Sequence, residues 1–159
     1  MTYCPICGNQ FCSEHFDDWW NFNEFNWKAA SWELAQYCSK HFHKWWNSNK
    51  FNWDNASSLL AEFCSDYFDN WWDAEKYNWD NASWALAQFC SEHFDKWFNV
   101  NRYSWNRSSW ALAQYCIEYF DVWWNPGKFN PKHVSYLVKY CDKYKDKWLD
   151  FKLYHDLKG

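Results

Sequence analysis

Asn78-Trp79-Asp80-Asn81-Ala82-Ser83-Trp84-Ala85-Leu86-Ala87-Gln88-Phe89-Cys90-Ser91-Glu92-His93-Phe94-Asp95-Lys96-Trp97-Phe98 decides the fold, because the same frame returns from Asn26, Asn52 and Ser104 and more loosely from Asn130. Cysteines at 12, 38, 64, 90 and 116 mark a period of 26 residues, and the next one comes a residue early at Cys141. A unit of that length cannot bury its own apolar face, so it must stack on its neighbours.

Within the quoted frame Ala82, Leu86, Phe89, Cys90, His93 and Trp97 follow helical spacing and share one face. Trp84 and Phe98 project elsewhere, giving the second apolar flank of a helix held between two neighbours. The frame predicts one long helix of about 20 residues, roughly 30 Å. Its start is marked in the last repeat, where Pro126 follows Asn125 and Pro131 follows Asn130. Proline is favoured at the first helical position after an Asn cap. By register, Asn26, Asn52, Asn78 and Ser104 cap long helices, while Asn21, Asn47, Asp73 and Asn99 cap a short helical turn.

The expected fold is therefore an all-α solenoid of 26-residue repeats, a long helix plus a short turn in each, behind an N-terminal zinc knuckle. Residues 1–25 form the knuckle and a half-repeat cap, 26–150 hold five stacked repeats, and 151–159 form a basic capping segment. In layout this resembles the leucine-rich repeat variant solenoids, which also alternate a short and a longer helix and begin with a cysteine-rich metal cluster. Its Trp, Asn and Phe signature is not that family's.

The repeats do not account for Cys4, Cys7 and Gly8. Cys4-Pro5-Ile6-Cys7-Gly8 is a tight knuckle whose two thiolates can share one metal ion, and Cys12 with His15 can close a tetrahedral site from a first helical turn. Cys4, Cys7, Cys12 and His15 are thus the candidate ligands. Zinc is the expected ion, with an iron–sulfur or redox centre as the alternative. The run from Cys7-Gly8 through Phe11-Cys12 to His15 resembles the Cys-Gly-x-x-Phe-Cys-x-x-His segment of zinc fingers in stress-associated and ubiquitin-pathway proteins. That resemblance covers residues 4–15 and implies zinc ligation by Cys7, Cys12 and His15. The internal pairs Cys38/His41 and Cys90/His93 read as packing, because Tyr67, Tyr119 and Tyr144 take the His position elsewhere.

Composition narrows the function. Aromatic residues make up 26% of the 159, with only three Gly and three Pro, which excludes a disordered chain. No apolar run is long enough to span a bilayer, and the N-terminus lacks the basic and apolar blocks of a signal peptide. A soluble protein of a reducing, cytoplasmic compartment is expected. Its repeated cysteines sit on stacked helices about 8–10 Å apart, too far for disulfides. Residues 1–127 carry 8 basic against 16 acidic side chains, and 128–159 carry 8 Lys against 4 Asp. An acidic body disfavours nucleic acid.

Phosphate loops and nucleophile motifs are missing, and the repeated Asp17, Asp69, Asp95 and Asp121 read as solvated or as partners of a neighbouring indole. The reading is a non-catalytic scaffold or adaptor for a protein partner. A metal-responsive or redox-sensing protein and a carbohydrate binder are the alternatives. The partner surface is expected at the connectors Lys50, Lys76, Arg102 and Lys128 and at Trp84 and Trp110, with Trp32 at the same register.

Overall fold

A computed structural model describes residues 3–158. The chain is all-α and built from helical units of about 26 residues. It separates into two compact units, one ending at Asn78 and the other starting at Trp79. The first holds α1 (Phe16–Trp19), α2 (Trp27–Tyr37), α3 (Phe42–Trp45), α4 (Trp53–Phe63) and α5 (Phe68–Trp71). The second holds α6 (Trp79–Phe89), α7 (Phe94–Trp97), α8 (Trp105–Tyr115), α9 (Phe120–Trp123), α10 (Val134–Tyr140) and α11 (Lys145–Lys158).

The single long helix of each repeat is corrected here. In the four repeats of α2, α4, α6 and α8 each long segment is an 11-residue helix that stops before the cysteine, followed by a 3-10 turn and a four-residue helix, as in α4, Ser65–Tyr67 and α5, whereas the last repeat has the 7-residue α10 and the 14-residue α11 around its turn. The cause is a competition for one carbonyl. Cys64 leaves helical geometry at φ −121°, and its carbonyl accepts both the Tyr67 amide at 2.9 Å and the Trp71 indole N–H at 2.7 Å. Trp45, Trp97, Trp123 and Trp148 donate in the same way to Cys38, Cys90, Cys116 and Cys141. An indole buried without an acceptor would cost about 1–3 kcal/mol, so the break lets each core tryptophan enter fully paired.

That break rearranges the predicted face. Ala82, Leu86, Cys90 and Trp97 are buried, but Phe89 and His93 are only half-buried, and Phe94 enters the core instead. The caps are as expected: the Asn26 and Asn52 side chains accept the Ala29 and Asn55 amides, and Asn130 accepts that of Lys132 ahead of Pro131. Ser104 holds the same position without a side-chain bond. The connectors are single hydrogen-bonded turns, Asn47 Oδ1 accepting the amides of Asn49 and Lys50. The segment expected as a separate cap at 151–159 is, through residue 158, the second half of α11, where Phe151 packs edge-on against Trp124 and Phe129.

Repeats are bolted together by a serine on each long helix. Ser57 Oγ donates to the Trp53 carbonyl one turn back at 2.6 Å and accepts the amide of Asn78, the next cap, at 3.1 Å. The Asn78 side-chain amide then donates to the Asp54 carbonyl at 2.8 Å. Ser31 with Asn52 and Ser109 with Asn130 repeat the arrangement. These serines are 0–2% exposed. Replacing Ser57 by Ala removes the acceptor of a half-buried cap amide, and urea denaturation should report a loss of about 1 kcal/mol. An unchanged midpoint would show that the serine does not hold the repeats together.

Ring stacking completes the joint. Tyr67 lies flat on Phe42 with centroids 4.7 Å apart, Tyr119 on Phe94 at 4.3 Å, and Tyr144 on Phe120 at 4.4 Å. His41 takes the same place over Phe16 at 4.6 Å while its Nε2 bonds the Ser13 carbonyl, so this position is an aromatic spacer. Asp17 and Asp121 pair with Lys44 and Lys147 of the following repeat on the surface. Exposed pairs of this kind contribute about 0–1 kcal/mol each.

Candidate metal centre

The N-terminal segment folds as a tight hairpin: the Cys4 amide donates to the Asn9 carbonyl and the Gly8 amide to the Cys4 carbonyl, both at 2.9 Å. Gly8 turns the chain at φ +77°, a conformation that costs glycine little. Phe11 also has positive φ, +50°, which costs a residue with a Cβ on the order of 1–3 kcal/mol. Burial offsets it, since the Phe11 ring sits edge-on to Trp19 and Phe25. In this pose Phe11 aims its carbonyl at the Cys38 thiol. The hairpin thus stands where a preceding helix would stand against the Cys38 end of α2.

This geometry brings Cys4, Cys7, Cys12 and His15 together, with one ligand atom from each lying within 4.8 Å of all the others. Cys7 Sγ is 3.5 Å from Cys12 Sγ, and Cys12 Sγ is 3.5 Å from His15 Nδ1. Sulfurs of a tetrahedral zinc site with Zn–S bonds of about 2.3 Å lie about 3.8 Å apart. The amides of Ile6 and Cys7 point at Cys4 Sγ from 3.4 and 3.5 Å. Burial alone would push the Cys4 thiol up, but those amides, with Cys7 and His15, bring it down to about 7. Cys12 is lowered mainly by the His15 amide, and the Cys12 sulfur raises His15. Cys7 is raised: the Asn9 amide favours its thiolate, but desolvation and the neighbouring sulfurs outweigh it. A cation among these sulfurs would offset the repulsion between thiolates.

The other five cysteines are built differently. Cys38, Cys64, Cys116 and Cys141 each donate their thiol to a backbone carbonyl, as Cys64 does to Ala35 at 3.7 Å, and burial pushes all five, Cys90 included, up to about 12. They are core groups, inert as thiolates near neutral pH. All eight cysteines are free thiols. Cys12 belongs by register to this repeated set, and at the end of the stack it serves the cluster instead.

The knuckle covers only part of the exposed side of α2. Beside it a cleft of about 700 Å³ remains, walled by Phe11, Trp19 and Phe25 on one side and Asn26, Ala30 and Glu33 on the other. Glu33 is half-buried where the later repeats have Leu59, Ala85 and Ala111, which gives the first repeat a polar outer face as terminal repeats require.

The predicted partner residues fare unevenly. Lys50 and Lys128 are exposed. Lys76 is half-buried, and its ammonium donates to Ser48 Oγ at 2.7 Å and Asn49 Oδ1 at 2.9 Å, tying one connector to the previous one. Arg102 is half-buried and already engaged. Trp84 and Trp110 are half-buried, and their indole N–H groups bond the Asn81 and Arg107 carbonyls of their own helices. Trp84 rests beside Phe89 at 6.2 Å, and Trp110 beside Tyr115 at 6.4 Å and Tyr136 at 5.6 Å. Trp32 and Tyr37 form the corresponding pair in the first unit. Sequence reasoning named the tryptophans but missed their partners five residues on, although Tyr37, Phe63, Phe89 and Tyr115 recur at that period.

No family model, curated protein or solved structure matches the chain. Among the described residues no helix is long and apolar enough to cross a membrane.

Proposed function

We propose that this chain is a non-catalytic recognition scaffold for a protein partner, closed at its N-terminal end by a structural zinc ion. The observation that carries the reading is the aromatic row of the long helices, Trp84 with Phe89 and Trp110 with Tyr115, set at repeat spacing and left half-exposed although each indole N–H is already satisfied. Rings held rigid and paired offer area for contact at small entropic cost, and Trp and Tyr dominate interface hot spots. Zinc fits the donor set, three thiols and one imidazole at tetrahedral spacing. Four protein ligands leave no open position for substrate, so the ion's part is to hold the hairpin.

The test compares the parent chain with Trp84→Ala/Trp110→Ala and with Lys50→Ala/Lys128→Ala as bait for proteins of its own host, followed by calorimetry on the captured partner. The tryptophan pair should lose on the order of 2 kcal/mol of binding per anchor with helicity retained. Capture that survives the tryptophan pair and fails with the lysine pair would move the surface to the connectors. A saturable response to sugars at the same rings would favour a carbohydrate ligand instead.

A further inference from the structure

Cys7 differs from every other cysteine of the chain in its access to solvent. It is exposed, Cys12 is half-buried, and Cys4, Cys38, Cys64, Cys90, Cys116 and Cys141 are buried. A hollow of about 400 Å³ opens beside the knuckle, with Cys7, Asn9, Cys12, Glu14, His15 and Tyr37 among its lining residues. Cys7 and Cys12 both line it, and their Sγ atoms are 3.5 Å apart. A small oxidant entering this hollow therefore meets two adjacent sulfurs.

The pair is close to bonding distance. A disulfide bond is about 2.0 Å long, so an approach of about 1.5 Å suffices. That movement falls on Cys7. Cys12 is fixed from behind by the Trp19 indole, which donates to its carbonyl at 2.7 Å, whereas Cys7 lies on the exposed turn at Gly8. Cys4 is the poorer partner, because it is 3% exposed and its sulfur already accepts the amides of Ile6 and Cys7. The core thiols are shielded twice over: they are buried, and those of Cys38, Cys64, Cys116 and Cys141 are donated to backbone carbonyls.

The chemistry balances with hydrogen peroxide as oxidant. A thiol that ligates a metal is deprotonated outright, so both sulfurs start as thiolates. The Cys7 sulfur breaks the O–O bond and keeps one oxygen as sulfenic acid, while the other oxygen takes up a proton and leaves as water. The Cys12 thiolate then attacks the Cys7 sulfur, and the sulfenic oxygen leaves as a second water after taking up a proton. Two sulfurs have lost two electrons, and the peroxide has gained them.

We propose that Cys7 and Cys12 form a peroxide-sensitive dithiol whose disulfide strips the knuckle of its zinc. Only Cys4 and His15 remain of the four ligands, and two do not complete a tetrahedral site. This rests on the reading of the cluster as a zinc site. It adds oxidative control of that site, and so of the hairpin that closes the scaffold.

The experiment treats the full zinc-loaded chain with a slight excess of hydrogen peroxide, released metal being followed with a chromogenic zinc chelator and the chain by mass spectrometry. About one zinc ion per chain should leave in step with a mass loss of two hydrogens, and digestion should yield a peptide linking residues 7 and 12. Cys7 and Cys12 should react on the order of a hundredfold faster than the core cysteines, which should accept an alkylating reagent only after unfolding in urea. A dithiol reductant with added zinc should restore the starting mass and metal content. A link between Cys4 and Cys7, or oxygen added to Cys7 with no link, would overturn the proposed pair. Zinc retained on a chain with eight unchanged thiols would remove the dithiol and leave the structural ion standing. A parent chain that binds no zinc yet forms the link between residues 7 and 12 would remove the ion and its expulsion, and leave only the dithiol.

Discussion

The parent chain should carry about one metal ion per molecule, Cys4→Ser should purify without it, and the first unit of that variant should melt well below the second. Cys4 is the ligand to change because it is 3% exposed and is the sulfur at which two backbone amides converge. Zinc binding in small knuckles is worth on the order of 10–16 kcal/mol of folding free energy, and the hairpin has little else. Its internal support is two short backbone bonds and an isolated bridge between Tyr3 and Gln10, while Phe11 holds a left-handed backbone. Loss of the ion should therefore release residues 4–15 and, with them, the Phe11 carbonyl that meets the Cys38 thiol and the Ser13 carbonyl that meets His41. Hydrogen exchange should show α2 and α3 losing protection on chelation while α8 and α9 keep theirs, because repeat stability passes through nearest neighbours. Elemental analysis with an absorption spectrum checks the ion: zinc is colourless, and charge-transfer bands would identify iron. Full metal content in the variant would place the site elsewhere, and a chelated chain with unchanged exchange would make the ion incidental to the fold.

How far the sequence reaches is set by whether a feature is local. Helix starts were legible at Asn26, Asn52 and Asn130 because a cap acts within three residues, and the Cys4, Cys7, Cys12 and His15 cluster because a knuckle fixes its own spacing. The helix stop at each cysteine was not legible, since no Gly or Pro marks it. It depends on a tryptophan seven residues later taking the freed carbonyl, and that indole is driven inward by tertiary packing. The serine bolts were missed for a related reason. Ser57 reads as an ordinary helix residue until its neighbour 21 positions on, Asn78, is placed beside it. Lys76 looked like a free connector charge because the chain folds its ammonium onto Ser48 and Asn49, 27 to 28 residues back. Charge reads as solvent-facing in one dimension, whereas a repeat stack offers each connector the backbone of the one before.

Trp123→Ala should be among the most destabilising single substitutions in the second unit, costing about 3–5 kcal/mol from lost volume, with a further loss of about 1 kcal/mol from the indole bond to the Cys116 carbonyl, which keeps only the Tyr119 amide. The side chain is 1% exposed and packs edge-on to Phe120 at 4.8 Å and parallel to Phe129 at 6.2 Å. Its N–H holds the Cys116 carbonyl at 2.7 Å, the bond that ends α8 and starts the turn into α9. Trp123→Phe separates the two roles: most of the packing survives, the hydrogen bond does not, and the loss should fall to about 1–3 kcal/mol. The neighbour Val122 is 63% exposed, so Val122→Thr should leave stability within about 0.5 kcal/mol. Urea denaturation followed by far-ultraviolet circular dichroism reads all three variants without relying on the altered fluorescence. If Phe were as costly as Ala, the carbonyl bond would outweigh the lost volume, and the helix break would be its product. If Phe were neutral, the indole would serve as volume alone, and the break at each cysteine would need another cause than the acceptor it provides.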